Sequence, residues 1–206
     1  MQILIYAATV VGAYLFGSIS PAIIISNGLT RKDIRNYGSG NAGATNMLRT
    51  FGPWLGALTF ILDIIKGAIV ALLCEYVLRP AVGDTDGLLT VLGCFAVILG
   101  HSYPIYYKFR GGKGVSSTLG VFLVLMTTPT LGALAFSFVT IAISGMVSVG
   151  SILGMIVCSV LSLALPNKLF VTVTVVVLAC FTIFLHRENI VRIFKGTERK
   201  ISLKKH

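Results

Sequence analysis

From Val115 to Leu185 the chain runs 71 residues with a single charged side chain, Lys168. As continuous helix that stretch would measure about 106 Å, enough to cross a bilayer core of about 30 Å three or four times. A water-soluble domain has no interior large enough to hide such a run. The remainder of the sequence agrees, since 55% of the 206 residues are hydrophobic and only 12% are charged. A soluble domain of this size carries roughly 25% charged residues. We therefore expect an all-α membrane protein, a single polytopic domain over residues 1–206.

Three apolar segments precede the long stretch, at about 3–25, 53–78 and 88–107. The first has no basic residues ahead of it and is longer than a signal-peptide core, so it is expected to remain as a span. Inside the long stretch, Thr127-Thr128-Pro129-Thr130 predicts a break, because proline and its predecessor resist helix. Ser144-Gly145-Met146-Val147-Ser148 and Pro166-Asn167-Lys168 predict two more. Four short spans result, at about 115–126, 130–144, 148–165 and 169–185, which makes seven transmembrane helices in all.

Orientation follows from charge. Of the 17 Lys and Arg residues, 14 fall in the loop that holds Arg31 to Arg49, in the turn from Lys108 to Lys113, and in the tail 186–206. Placing all three on the cytoplasmic side satisfies the positive-inside rule and requires an even number of crossings between the turn and the tail. Four crossings put the N-terminus outside and the C-terminus in the cytoplasm; two would leave five spans, the alternative. The net charge of +10 is thus explained by topology, without nucleic acid. Cys74, Cys94, Cys158 and Cys180 lie in apolar runs without metal or disulfide spacing, and no metal or cofactor is expected.

The polar residues gather in a few places. Gly38-Ser39-Gly40-Asn41-Ala42-Gly43-Ala44-Thr45-Asn46, followed by Arg49, combines small residues, amide and hydroxyl donors and a guanidinium fork. Such a loop suits an anion, because the backbone comes close and Arg pairs with phosphate in a bidentate way. A plain flexible loop capped by Asn and Thr is the alternative, and it leaves Arg49 without a task. Gly100-His101, then Gly111-Gly112-Lys113-Gly114, opens an apolar helix with a lysine and free amides, which again favours an oxyanion. The spacing is not that of a Walker A loop. A basic turn resting on lipid headgroups competes for Lys108 and Arg110.

His186 and Asn189 share a helical face at the end of the last span, as do Ser148 and Ser151 at the start of an earlier one. Asp63 and Lys66, also i and i+3, sit within a span, where a structural ion pair is at least as well supported as a substrate role. No nucleophile with its base is evident, so an enzyme built this way would act by positioning and charge stabilisation. A transporter of organic phosphate would instead place its site at the bilayer midplane between repeated halves, and no repeat is visible.

Taken in order, Tyr14-Leu15-Phe16-Gly17-Ser18-Ile19, the Gly38–Arg49 motif, Asp63-x-x-Lys66-Gly67, Gly100-His101-x-x-Pro104 with Gly111–Val115, and His186-Arg187-Glu188-Asn189-Ile190 form a recognisable set. On these residues the sequence strongly resembles the bacterial membrane-integral acyl-phosphate:glycerol-3-phosphate acyltransferases. The resemblance implies an enzyme of the bacterial cytoplasmic (inner) membrane, its active site toward the cytoplasm. Such an enzyme moves a fatty acyl group from a long-chain acyl phosphate to glycerol 3-phosphate, giving lysophosphatidate and inorganic phosphate. A soluble enzyme that forms acyl phosphate is implied as a functional partner. By matching position, the resemblance implies Ser39, Arg49, Lys113, His186 and Asn189 as catalytic residues. It implies Gly38, Gly40, Asn41, Thr45, Asn46, His101, Gly111, Gly112, Gly114, Ser148 and Ser151 as substrate and phosphate contacts. Gly145 and Met146 depart from the basic and aromatic residues usual in that family. The donor is an activated anhydride, so its own phosphate can accept the proton of the glycerol hydroxyl.

Overall fold

The computed structural model describes residues 2–201; Lys204 and Lys205 of the basic tail lie outside the described residues. Among these residues the regular structure is helical throughout. The chain forms α1 (Gln2–Gly17), α2 (Pro21–Ile25), α3 (Ala44–Phe51), α4 (Pro53–Leu72), α5 (Arg79–Val82), α6 (Leu88–Ser102), α7 (Val115–Leu125), α8 (Thr127–Ser144), α9 (Val147–Ala164), α10 (Leu169–Leu185) and α11 (Arg187–Phe194). Wide turns over Ser26–Thr30 and Leu73–Leu78 prolong α2 and α4. The segments Gln2–Thr30, Pro53–Val82, Leu88–Tyr107, Thr127–Ser144 and Val147–Ala164 are each long and apolar enough to cross a membrane. A sixth arises if α10 and α11, bent by 58° at His186, are taken as one.

The structure revises three boundaries. Pro129 does not break the chain before Thr130; α8 begins at Thr127 and the break lies at Met126, whose φ of −152° and ψ of 67° leave the helical region. A proline in the first helical turn removes no helical hydrogen bond, because those N–H groups have no partner in the helix. The third apolar segment leaves regular helix at Ser102, where extended Pro104 turns the chain toward the Gly-rich loop. The first is interrupted at Ser18–Ser20, with Pro21 opening α2. The fourth segment forms α7 at 11 residues, about 16 Å and short of a bilayer core. Much of it is surrounded by other helices, with Ser117 to Phe122 all buried.

Small residues set the packing, as is usual where apolar helices meet without a hydrophobic drive. A side chain at Gly67 of α4 would strike the Ser117 carbonyl, and one at Gly120 of α7 the Ile64 carbonyl, so these two backbones are in direct contact. Helices α8 and α9 pack side by side, and α10 lies against both α9 and α6.

The interruption between α1 and α2 creates an electrostatic need. Pro21 has no N–H to offer the carbonyl four residues back, that of Gly17. Lys66 of α4 supplies the missing donor, its Nζ lying 3.1 Å from the Gly17 carbonyl and 3.0 Å from that of Ile19. Its charge is balanced by Asp63, Oδ1 at 3.2 Å, and His101 of α6 closes the group with Nδ1 3.2 Å from the same oxygen. The pair expected from sequence is therefore a triad, and it ties α1, α2, α4 and α6 together.

Candidate active site

A cavity of about 590 Å³ opens where α3, the Gly-rich loop, α9, α11 and the tail converge. Its volume is ordinary for a small-molecule site. The mouth is polar, bordered by Ser39, Arg49, Lys113, His186, Asn189 and Glu198. The far arm is apolar, bordered by Phe122, Ala133, Leu134, Phe138, Met155 and Cys158. Along α8 the wall runs from Ala133 to Ile141, about 12 Å at 1.5 Å per residue, so the two ends are well separated. The arrangement fits an amphiphile with an anionic head.

Most of the residues singled out in sequence line this one cavity: Asn41, Thr45, Asn46, His101, Gly114, Ser148 and Ser151 join the polar set. Asp63 also reaches it, whereas Lys66 lies behind. Gly38, Gly40, Gly111 and Gly112 stand back from the wall. Gly38 has φ +58° and no room for a side chain beside the Asn46 amide, so its task is to let the loop turn. Asn46 is the staple of that loop. Its Oδ1 accepts from the Ser39 amide at 2.9 Å, and its Nδ2 donates to the carbonyls of Tyr37 and Asn41, both at 3.0 Å.

The Gly111–Gly114 backbone is arranged differently from the expected oxyanion pocket. The amides of Gly111 and Gly112 donate to the carbonyls of Ser102 and His101, at 3.2 Å each, and so are already engaged. What faces the cavity is the first turn of α7, where Gly114, Val115 and Ser116 line the wall. The positive end of that helix dipole is thus directed at the polar mouth.

The cations are set for an anion. Arg49 donates through its terminal nitrogen to the Arg199 carbonyl at 2.9 Å, while its Nε is buried without a partner among the described residues. A guanidinium edge left open in this way is matched by a phosphate oxygen. Lys113 donates to Asn189 Oδ1. Burial, and then the neighbouring charge of Arg192, bring its ammonium down to about 8. His186 is buried, and Nδ1 lies 2.8 Å from the Thr182 carbonyl, which can only accept. The ring therefore carries its proton on Nδ1 and keeps Nε2 as an acceptor. Burial and the charge of Lys113 lower its pKa to about 4, so the ring is neutral at neutral pH.

Four residues that the sequence did not mark as site candidates also border the cavity: Glu188, Arg192, Glu198 and Arg199. Glu198 accepts from Ser148 Oγ and Asn189 Nδ2, each at 2.7 Å, and from Arg192 Nε at 2.8 Å. Burial works against its charge, but those three bonds outweigh it and hold the carboxyl below its usual range. The one available signal was that Glu198 is one of two carboxylates, with Glu188, in a tail of cations. Ile201 N–H donates to the Gly145 carbonyl at 2.7 Å, so residues 197–201 lie as a strap across the mouth. Gly145, at φ +71°, makes the turn to which the strap is fastened.

Comparison with known proteins agrees with this architecture. The family model described as "Glycerol-3-phosphate acyltransferase" matches residues 7–196. A glycerol-3-phosphate acyltransferase of Clostridioides difficile is 40% identical over 205 residues, covering 100% of both chains. One from Staphylococcus carnosus is 42% identical over 194 residues, 92% of this chain and 94% of that one. Among solved structures, PlsY (YgiH), an integral membrane glycerol 3-phosphate acyltransferase, superimposes in its glycerol 3-phosphate form with a TM-score of 0.87 at 33% identity, over 96% of each chain. Its lysophosphatidic acid form gives 0.84 at 31%, over 96% of this chain and 95% of that one. The chain belongs to the integral membrane glycerol-3-phosphate acyltransferase family.

Proposed function

We propose that the protein transfers a fatty acyl group from acyl phosphate to glycerol 3-phosphate, forming 1-acyl-glycerol 3-phosphate and inorganic phosphate. The observation that carries this reading is one cavity with Arg49 and Lys113 at its mouth and an apolar arm behind them. The arm receives the acyl chain and the cations receive phosphate. The new bond joins the glycerol hydroxyl oxygen to the acyl carbon; the bond from that carbon to the phosphate oxygen breaks; the hydroxyl proton leaves on the released phosphate.

The chemistry of the mouth supports an activated donor. Among the described residues, no serine or cysteine on the cavity wall is hydrogen-bonded to a histidine, the pairing that activates a nucleophile. With a pKa of about 4, His186 is a weak base, suited to accepting a hydrogen bond from the glycerol hydroxyl and orienting it. The donor's phosphate then serves as the base. Lys113, Arg49 and the start of α7 stabilise the charge that develops on the leaving group. Seven crossings, with α7 as a short fourth span, place the basic loops, the cavity mouth and the tail in the cytoplasm. There a soluble enzyme can deliver acyl phosphate.

The test is a donor comparison. Purified protein in lipid is supplied with glycerol 3-phosphate and either palmitoyl phosphate or palmitoyl-CoA, and lysophosphatidate is measured. Product from palmitoyl phosphate alone is expected. Product from palmitoyl-CoA, or phosphate uptake into vesicles without product, would overturn the assignment. The apolar arm gives a second expectation. Ala133 is buried at its far end, so Ala133→Leu should shorten the arm. The ratio of kcat/KM for palmitoyl over lauroyl phosphate should fall about tenfold, the scale of a methylene-sized misfit in an apolar pocket.

A further inference from the structure

The bonds made by Glu198 are those a substrate phosphate would make. Its carboxylate takes one hydroxyl, one amide N–H and one guanidinium N–H, from Ser148, Asn189 and Arg192. It does so on the wall of the cavity that holds Arg49 and Lys113. A phosphate brought to those cations lies against a buried carboxylate, and like charges at such range repel strongly. The strap is also fastened by the cations themselves. Arg192 holds Glu198, and Arg49 holds the Arg199 carbonyl. A phosphate that takes Arg192 Nε from Glu198 therefore undoes a strap contact. The strap's other contacts include Thr197 N–H to the Arg192 carbonyl at 2.9 Å, and Ile201 N–H to that of Gly145.

We propose that Glu198 is a stand-in anion, that a substrate phosphate exchanges with it on Ser148, Asn189 and Arg192, and that Arg192 is thereby a third phosphate-binding cation. The proposal rests on the reading of this cavity as the phosphate site. Exchange releases the strap, residues 197–201, and opens the mouth as substrate enters. The rival arrangement is a permanent brace. In that case Glu198 stays in place and keeps the Asn189 amide turned so that its oxygen meets Lys113.

Binding without an acyl donor separates the two, and separates both from the identity of the donor. Purified protein in nanodiscs is titrated calorimetrically with glycerol 3-phosphate and, separately, with inorganic phosphate. Glu198→Gln keeps the shape and removes the charge, so it should bind both ligands about tenfold more tightly or better, the scale of one charge pair near a protein surface. Arg192→Gln should bind both about tenfold more weakly. Unchanged or weaker binding by Glu198→Gln identifies a brace and overturns the proposal, as does unchanged binding by Arg192→Gln. Should Glu198→Gln fail to fold, the wild-type protein still decides. Saturating glycerol 3-phosphate should speed hydrogen exchange of the 197–201 amides, Ile201 above all, and exchange that slows or stays the same overturns the proposal. Palmitoyl phosphate turnover, measured on the same wild-type preparation, reports separately on the proposed reaction.

Discussion

Lys113→Ala should leave a folded protein whose turnover is lower by about 10²–10³-fold, the usual consequence of removing one preorganised charge donor from an oxyanion site. Lys113 is held by Asn189 at the mouth of the cavity, and alanine removes the charge without touching a helix. The melting temperature should stay close to that of the wild type while lysophosphatidate formation collapses. Near-normal turnover would remove Lys113 from the site. Its acidity adds a signature. An ammonium of about 8 is charged below that pH and loses its proton above it. Phosphate binds the charged form, so kcat/KM should hold steady up to about pH 8 and fall beyond it. Arginine remains protonated throughout this range, so the fall should be absent in Lys113→Arg.

The second large effect belongs to stability. Lys66→Met should lower Tm by about 10 °C or more, through a loss of about 3–5 kcal/mol when one partner of a buried ion pair is removed. The change strands the Asp63 carboxylate and leaves the carbonyls of Gly17 and Ile19 without their donor. Removing both charges is a lesser injury than removing one. The double variant Asp63→Leu/Lys66→Met should therefore melt closer to the wild type than Lys66→Met alone. A single variant as stable as the parent would show that the triad does not hold these helices.

What the sequence could tell depended on the range of each interaction. Apolar runs declare helices locally, and so residues 147–164 and 169–185 are helical close to where the hydropathy pattern ends. Pro129 misled because its effect depends on position: the same ring that ends a helix in mid-course fits its first turn. The polar motifs were legible as anion binders by residue type, yet type does not say where an amide points. Gly111 and Gly112 turned theirs toward backbone carbonyls, and the start of α7 faces the cavity in their place. Glu198 was out of reach for another reason. Its partner Ser148 stands 50 residues away, and nothing in a basic tail marks one carboxylate as buried against another helix. His101, 35 residues from Lys66, joined the ion pair for the same reason.

The joint at Pro21 has a consequence for how such a chain can vary. A helix missing a hydrogen-bond donor and an ammonium within an apolar span are each faults that would weaken a membrane protein on their own. Here each is the remedy for the other, with Asp63 and His101 as guarantors of the charge. Mending either fault singly exposes the other. These positions are consequently free to change only in concert, and the interruption in the first apolar segment is maintained by residues that lie two helices away.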